Sequence, residues 1–228
     1  IKSCHNINWE DEYSWIHQEN ILEVLKDGSK LLPEVKKYLI EENTHTENVM
    51  ADTKELQKKL FNEIKSRIKL DDESLPYKDK KYEYWTKVTK EGNYSKKLRR
   101  KIGEKNIETY WDGDLEAKGK KFFNTGDIAV SNNDELLAYS VDDKGGEYFT
   151  IFVRHIADNK IIEEPIPDTA GGITWSYDDK YFFYSKLDKF HNKIYGAASP
   201  RLLALINNLC AADNVNYLDL GSYRGATL

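Results

Sequence analysis

The first third of the chain shows the hydrophobic spacing of α-helices. Pro33 fits the first turn of a helix, where its missing N–H costs no hydrogen bond, and apolar residues continue in a partly amphipathic pattern to Met50. Asp52, with Glu55 three residues later, has the spacing of a capping box and predicts the start of a second helix. The apolar positions of that helix recur every fourth residue: Leu56, Leu60, Ile64 and Ile68. We expect this stripe to pack on a neighbouring domain or helix.

From Tyr82 onward, apolar and polar residues alternate in short runs, which predicts an antiparallel meander of short strands. One unit of this meander repeats. Residues 130–140 align with residues 175–185, so that Ser131 matches Ser176 at an offset of 45 residues that stays constant along the unit. A β-rich unit with this period is typical of propeller blades. The alternative is two ordinary hairpins that resemble each other by chance.

A third copy of the unit lies upstream, where residues 79–85 match residues 179–185. After Tyr195 the pattern changes to a helix, a strand and a glycine turn, which is how an α/β domain begins. The predicted fold class is therefore α+β. We expect an N-terminal helical arm at residues 1–76, the first blades (about two) of an incomplete β-propeller at residues 77–195, and a short α/β stub of different origin at residues 196–228.

Composition and charge narrow the classes of function. The chain has 228 residues, of which 39% are hydrophobic and 32% charged, so a core can form beneath a heavily solvated surface. The net charge of −5 argues against general nucleic-acid binding. We interpret the basic run at residues 96–101 as a solvated strand edge rather than a phosphate track. No apolar run reaches the length of a membrane span, and no signal-peptide core is present.

The cysteines and histidines predict no metal or cofactor site. Cys4 and Cys210 lie far apart in sequence, so they imply no disulfide framework, which fits a reducing cytoplasm. The five histidines show no ligand spacing with either cysteine. The first residue is Ile, the only methionine is Met50, and Leu228 stops inside a motif, so we expect a chain that is incomplete at both ends.

A series of motifs runs in order from about Trp9 to about His191. It includes Asp11-x-Tyr13-x-Trp15, Pro33-Glu34-Val35, Leu60-Phe61-x-Glu63-Ile64, Arg67-Ile68-Lys69-x-Asp71-Asp72, Leu136-Leu137-Ala138-Tyr139-Ser140-x-Asp142, Gly146-Glu147-Tyr148-x-Thr150-Ile151-x-Val153-Arg154 and Trp175-Ser176. In this order the motifs resemble the prolyl oligopeptidase family of serine peptidases, and within it most closely oligopeptidase B (protease II). One departure is His155, where the family usually has Asp after the Arg.

This resemblance implies an architecture and a function. In the family, an N-terminal helical arm packs against a C-terminal α/β-hydrolase domain, and a propeller of about seven blades caps the active site and admits short, unfolded peptides. Oligopeptidase B cleaves after Arg or Lys. By this resemblance, the chain supplies the arm and about the first two blades, its partner is the α/β-hydrolase domain, and no cofactor is needed.

The resemblance does not extend to the catalytic residues. The family nucleophile lies on a Gly-x-Ser-x-Gly elbow, and no such sequence occurs in this chain. The catalytic Asp and His of the family, and the acidic residues that bind a basic substrate side chain, belong to parts beyond the matching region. We therefore predict no catalytic residue here, and we do not expect this chain to hydrolyse peptides as given.

The tail has a resemblance of its own. Residues 217–225 look like the first strand and glycine loop of a class I S-adenosylmethionine-dependent methyltransferase, where glycine lets the backbone approach the cofactor. The candidate cofactor-binding residues are Asp219, Gly221 and Gly225; the alternative is an unrelated α/β fragment. The leading hypothesis is thus the propeller portion of a peptidase. The others are a non-catalytic protein-binding module and a truncated fusion to a methyltransferase.

Overall fold

The computed structural model describes residues 2–194, and the chain folds into two compact units that divide between Leu70 and Asp71. The predicted α/β stub at residues 196–228 lies outside the described residues. No helix in the described range is long and apolar enough to cross a membrane.

The first unit contains a small hairpin and three helices. Its elements are β1 (Lys2–Cys4), β2 (Ile7–Trp9), α1 (Ile21–Lys26), α2 (Pro33–Val49) and α3 (Lys54–Ser66). Pro33 occupies the first turn of α2, as predicted, and the Trp15 ring meets the Tyr38 ring edge-on at a centroid distance of 5.1 Å. The predicted N-terminal helical arm is confirmed.

The start of α3 differs from the prediction. Asp52 lies in a 3-10 turn, Ala51–Thr53, and the side chain of the N-cap Thr53 accepts no hydrogen bond from a backbone N–H of the helix. The Thr53 hydroxyl instead donates to the carbonyl of Met50 at 2.7 Å, so no capping box forms and that prediction is wrong. The apolar stripe is present, and its side chains are between 47% and 61% exposed: Leu56, Leu60, Ile64 and Ile68.

The second unit contains two antiparallel sheets. The strands of the first are β3 (Asp72–Glu73), β4 (Tyr77–Asp79), β5 (Tyr82–Val88), β6 (Lys96–Lys101) and β7 (Ile107–Asp112), and the short helix α4 (Gly113–Ala117) follows them. Their order is β3-β5-β6-β7, and β4 also pairs with β5. The strands of the second sheet are β8 (Asn124–Val130), β9 (Leu136–Asp142), β10 (Phe149–His155), β11 (Ile166–Trp175), β12 (Phe182–Leu187) and β13 (Lys193–Ile194). These pair in sequence order, as in a meander.

The basic run at residues 96–101 forms β6, which is an interior strand. It pairs with β5 on one side and β7 on the other, so the prediction of a strand edge is wrong. The reason is that carboxylates on the flanking strands compensate the positive charges. Arg99 pairs with Glu108 at 2.7 Å, and Arg100 pairs with Glu83. Lys96 pairs in the same way with Asp112.

The predicted repeat is present in the backbone. Val130 pairs with Leu137 across the β8–β9 hairpin, and Trp175 pairs with Phe182 across β11–β12, so the register repeats at the same 45-residue offset as the sequence. In each turn the serine hydroxyl accepts from a backbone N–H five residues ahead, at 2.9 Å in the first turn and 3.1 Å in the second. The repeat predicted from the sequence is therefore confirmed.

The third copy is also a hairpin, but its turn is shorter. Asp79 pairs directly with Tyr82, so only two residues connect β4 to β5, whereas the other two copies use a longer turn. Lys80 adopts a positive φ of 50° in this tight connection. The third copy therefore matches the repeat in its strand and not in its turn.

Strand β9 separates two apolar clusters because its side chains alternate between the faces of the sheet. Leu137 and Tyr139 belong to one cluster together with Trp111 from β7. Ala138 belongs to the other, together with Phe182 from β12. We call the first cluster, between the first sheet and strands β8–β10, the first seam. The second, between strands β8–β10 and β11–β12, is the second seam.

Candidate functional site

A buried polar network crosses the first seam. The Tyr84 hydroxyl donates to Asp134 Oδ1 at 2.7 Å, and Arg99 donates to the Asp134 carbonyl oxygen at 2.6 Å and to Glu108 at 2.7 Å. Burial, reinforced by the hydrogen bond to Asp134, holds the pKa of Tyr84 well above its usual range. The network therefore joins the first sheet to the turn after β8 through neutral Tyr84 and charged Arg99.

Arg154 is the second buried cation of this seam. Its guanidinium donates to Glu116 at 2.6 Å and to the carbonyl oxygen of Tyr110 at 3.3 Å, and it lies 5.0 Å from the centroid of the Tyr139 ring. Burial raises the pKa of Tyr139 to about 12. Because Glu116 balances its charge, we assign Arg154 to the packing of the seam rather than to anion binding.

A carboxylate connects two turns at the second seam by hydrogen bonds. Asp179, in the turn between β11 and β12, accepts three hydrogen bonds from the preceding turn of the repeat. The donors are the backbone N–H of Asn132 at 2.5 Å, the Asn132 side-chain amide at 2.8 Å and the backbone N–H of Asn133 at 2.7 Å. We call this arrangement the carboxylate clasp. Asp179 has a positive φ of 57°, as does its repeat partner Asp134 at 67°.

A cavity of about 590 Å³ opens beside the clasp. Its walls come from both sides of the second seam and are mainly apolar and aromatic: Leu136, Val153, Ile162, Ile166, Trp175, Tyr181, Phe182 and Tyr184. The four charged residues that line it are Glu163, Glu164, Asp179 and Lys180. Its volume is in the range of small-ligand pockets.

The structure tests only the metal-binding side of the site predictions. No group of three or more His, Cys, Asp or Glu side chains in the described range is placed to hold a metal ion. The predicted cofactor-binding candidates Asp219, Gly221 and Gly225 lie outside the described residues, so the methyltransferase resemblance stays a prediction. The prediction of no catalytic residue also stays a prediction.

Sequence reasoning missed the clasp and the cavity. The Asp that ends each polar turn was visible in the repeat, because Asp134 and Asp179 align, but its partners lie one repeat away. The cavity carried no sequence signal, since Leu136, Val153 and Phe182 are ordinary strand residues that only the packing of two hairpins brings together.

Comparisons with known proteins agree with the fold. A family model, the N-terminal β-propeller domain of prolyl oligopeptidase, matches residues 1–202. Dipeptidyl aminopeptidase BI of Pseudoxanthomonas mexicana is 28% identical over 82% of this chain and 27% of that protein. Oligopeptidase B of Leishmania major superposes with a TM-score of 0.71 at 28% identity, over 81% of this chain and 25% of that one. The closed form of Trypanosoma brucei oligopeptidase B with covalently bound antipain gives 0.67 at 28% identity, over 78% and 24%.

The chain thus spans about a quarter of the length of these relatives. The family model covers most of the chain and includes the helical arm, both seams and the cavity. The resemblance stated from the motifs is confirmed. This protein belongs to the prolyl oligopeptidase family, and the sequence corresponds to the N-terminal β-propeller domain of that family.

Proposed function

We propose that this chain is the arm and gate portion of an oligopeptidase B-like serine peptidase whose catalysis comes from a C-terminal α/β-hydrolase domain. The observation that carries the proposal is the match to peptidases of which the chain spans only about a quarter. In this proposal, the complete enzyme acts in the cytoplasm on short peptides and cleaves them after Arg or Lys. The chain restricts access to the active site and contributes no catalytic group.

The exposed apolar stripe of α3 supports the proposal of a large protein partner. An isolated amphipathic helix gains little stability unless its apolar face is buried. Ile64 is 61% exposed and Leu60 is 47% exposed, so their burial is left to a surface that the first unit does not provide. A hydrolase domain packed on this stripe would supply the missing contact.

The last described turn of the repeat supports the proposal that another blade packs next to it. Tyr177 and Asp178 occupy the positions that Asn132 and Asn133 occupy one repeat earlier. The backbone N–H groups of Asn132 and Asn133 bind a carboxylate, whereas no residue in the described range accepts from those of Tyr177 and Asp178. Two adjacent N–H groups in such a turn form an anion-binding nest. An acidic residue from a further blade would fit it.

The test is complementation between two polypeptides. The full chain is mixed with a fragment of Leishmania major oligopeptidase B that lacks the matched quarter. We expect hydrolysis of a peptide substrate after Arg or Lys only when both are present. The amides of Tyr177 and Asp178 should also exchange more slowly with deuterium in the mixture.

Two matched substitutions on α3 locate the contact. Ile64→Asp places a charge on the stripe, while Asn62→Asp adds the same charge on another face of the helix. Loss of one buried Ile side chain costs about 1.5–3 kcal/mol, so we expect Ile64→Asp to weaken the complex at least about tenfold and Asn62→Asp to leave it unchanged. If the two polypeptides neither bind each other nor cleave the peptide, the proposal of a peptidase gate is wrong and the hypothesis of a non-catalytic protein-binding module replaces it.

A further inference from the structure

The sequence contains two Asp-Gly dipeptides, Asp27-Gly28 and Asp112-Gly113, and their local geometry is alike. In each, a side-chain oxygen of the aspartate accepts from the backbone N–H two residues ahead, at 3.0 Å for Asp27 and 3.2 Å for Asp112. Both aspartates are extended, with ψ angles of 96° and 102°. A carboxyl group that reaches over one peptide in this way lies next to the glycine nitrogen between.

An Asp-Gly dipeptide can react with itself through this arrangement. The lone pair of the glycine nitrogen forms a bond to the side-chain carboxyl carbon, the amide proton and the carboxyl hydroxyl leave as water, and a five-membered succinimide ring results. Water then opens the ring on one of its two sides. One side restores aspartate, and the other gives isoaspartate, whose backbone runs through the former side chain. Water is the only co-reactant, and glycine favours ring closure because it has no Cβ.

The first dipeptide is accessible to this reaction. Asp27 and Gly28 are both exposed, in the connection between α1 and α2. Gly28 is the first residue of a 3-10 turn, Gly28–Lys30, so its N–H has no partner inside the turn. A Cβ at Gly28 would have no atom within 4 Å. Ring closure at Asp27 therefore takes place in solvent, with open space beside the glycine.

The second dipeptide is enclosed. Asp112 is half-buried, Gly113 is buried, and the Asp112 carboxylate pairs with Lys96. The Gly113 N–H donates to the carbonyl oxygen of Ser95 at 3.1 Å. A Cβ at Gly113 would lie 2.6 Å from the Cβ of Tyr94, so the neighbouring strand leaves little room there. Ring closure at Asp112 must first break the hydrogen bond of its nucleophile and the ion pair of its carboxylate.

We propose that Asp27 is a site of spontaneous isomerisation to isoaspartate, and that the fold protects Asp112 from the same reaction. The modification inserts one methylene group into the backbone between α1 and α2. The Asp27 carbonyl oxygen, which accepts from the Lys30 N–H at 3.1 Å, becomes part of a free carboxylate. The turn that joins the two helices is therefore lengthened and loses a hydrogen bond.

A buried glutamine carries this change to the start of α2. Gln18 is 3% exposed, its side-chain amide donates to the Lys30 carbonyl oxygen at 3.4 Å, and its Oε1 accepts from the Leu32 N–H at 2.8 Å. A longer backbone at Asp27 displaces Lys30 from this arrangement. We therefore expect the Leu32 amide to exchange faster with deuterium after isomerisation. The site does not depend on the proposed function, so this test and complementation can fail separately.

The test is peptide mapping of the full chain after storage at neutral pH and physiological temperature. Cleavage after glutamate gives peptides 24–34 and 109–116, each with one Asp-Gly dipeptide. We expect peptide 24–34 to acquire a second form of unchanged mass and different chromatographic retention, by way of a form lighter by one water. Peptide 109–116 should change at least about tenfold more slowly, because its ring closure must first break a hydrogen bond and an ion pair.

Two variants and one condition separate the chemistry from the fold. Asp27→Glu should abolish the change in peptide 24–34, because closure would need a less favourable six-membered ring. Gly28→Ala should slow it at least about fivefold without destabilising the chain, because the added methyl group hinders the attack and meets no other atom within 4 Å. In the urea-unfolded chain, both peptides should change at rates within about twofold of each other, because neither is protected.

Four results would overturn the inference. One is a peptide 24–34 that stays unchanged in the folded chain. Another is a folded chain in which peptides 24–34 and 109–116 change at the same rate, because the fold would then protect neither site. The third is a change that persists in Asp27→Glu, which would place the modification at another residue. The fourth is an isomerised chain whose Leu32 amide exchanges at the unmodified rate, which would refute the effect on α2.

Discussion

The carboxylate clasp predicts that the Asp179 side chain stabilises the folded chain. If the clasp holds the second seam, removing this one carboxylate must loosen the contact between two turns that lie 45 residues apart in sequence. Asp179→Gly deletes the carboxylate and tolerates the positive φ of 57°, whereas Asp179→Ala deletes it and adds backbone strain. Comparing the two variants separates the hydrogen bonds from the backbone conformation.

The expected loss follows from the three hydrogen bonds. A hydrogen bond to a charged group is worth about 1.5–3 kcal/mol when buried, but Asp179 is partly exposed and water can replace some donors. The two backbone effects of glycine, relief of left-handed strain and a more flexible unfolded chain, roughly cancel. We therefore expect Asp179→Gly to lower the free energy of unfolding by about 2 kcal/mol and Asp179→Ala by about 3 kcal/mol.

The assay is urea unfolding of the full chain, combined with deuterium exchange of single amides. The Asn132 and Asn133 amides should exchange faster in both variants. Asp143→Ala is the control, because Asp143 is exposed in another turn and makes no hydrogen bond within the described residues; it should change stability by less than about 0.5 kcal/mol. The reasoning is refuted if Asp179→Gly unfolds like the wild type and the two amides keep their exchange rates.

Three further predictions concern the packing of the second sheet. A Cβ at Gly126 would lie 2.5 Å from a neighbouring side-chain oxygen, so Gly126→Ala should lower the free energy of unfolding in urea by about 1–3 kcal/mol. A Cβ at Gly172 would have no atom within 4 Å, so Gly172→Ala should leave the stability unchanged. Equal effects of the two substitutions would contradict this prediction. Trp175→Phe leaves the Ala129 carbonyl without its donor and should cost about 1 kcal/mol, and an unchanged midpoint would argue against that bond. The pKa of Tyr139 is higher in the folded state than in the unfolded chain, so the free energy of unfolding should fall as the pH rises from about 10 toward about 12. The fall should be less steep in Tyr139→Phe. Identical pH dependence of stability in the two proteins above about pH 10 would contradict this prediction.

The sequence predicted those features of the fold that depend on local pattern. The 45-residue repeat, its hairpin register and the Pro33 helix follow from hydrophobic spacing and turn residues, which act within a few positions of the chain. The wrong prediction of a strand edge arose because partners distant in sequence determine the position of that strand. A run such as residues 96–101 looks solvated by itself, and only the flanking Glu83 and Glu108 make it an interior strand.

The candidate site was predictable only in part. The turn aspartates appear in the repeat, and the left-handed conformation explains why a small polar residue stands there. The identity of their partners was not accessible, because Tyr84 lies 50 residues before Asp134 and comes from a different sheet. The cavity depends on the angle between two hairpins, which no alternation of residues encodes.

The two aspartates indicate how the seams are assembled. Each turn aspartate binds backward, to the hairpin that precedes it in sequence: Asp134 binds Tyr84, and Asp179 binds Asn132 and Asn133. Because every fastening depends on a residue supplied by the following hairpin, a seam is complete only after that hairpin has formed. Under the proposed function, the last described turn carries one side of such a contact, at Tyr177 and Asp178, and a neighbouring blade would supply the other side. In a propeller built this way, each blade is stabilised by hydrogen bonds with the blade that follows it. The last blade of any segment lacks these bonds until a partner supplies them.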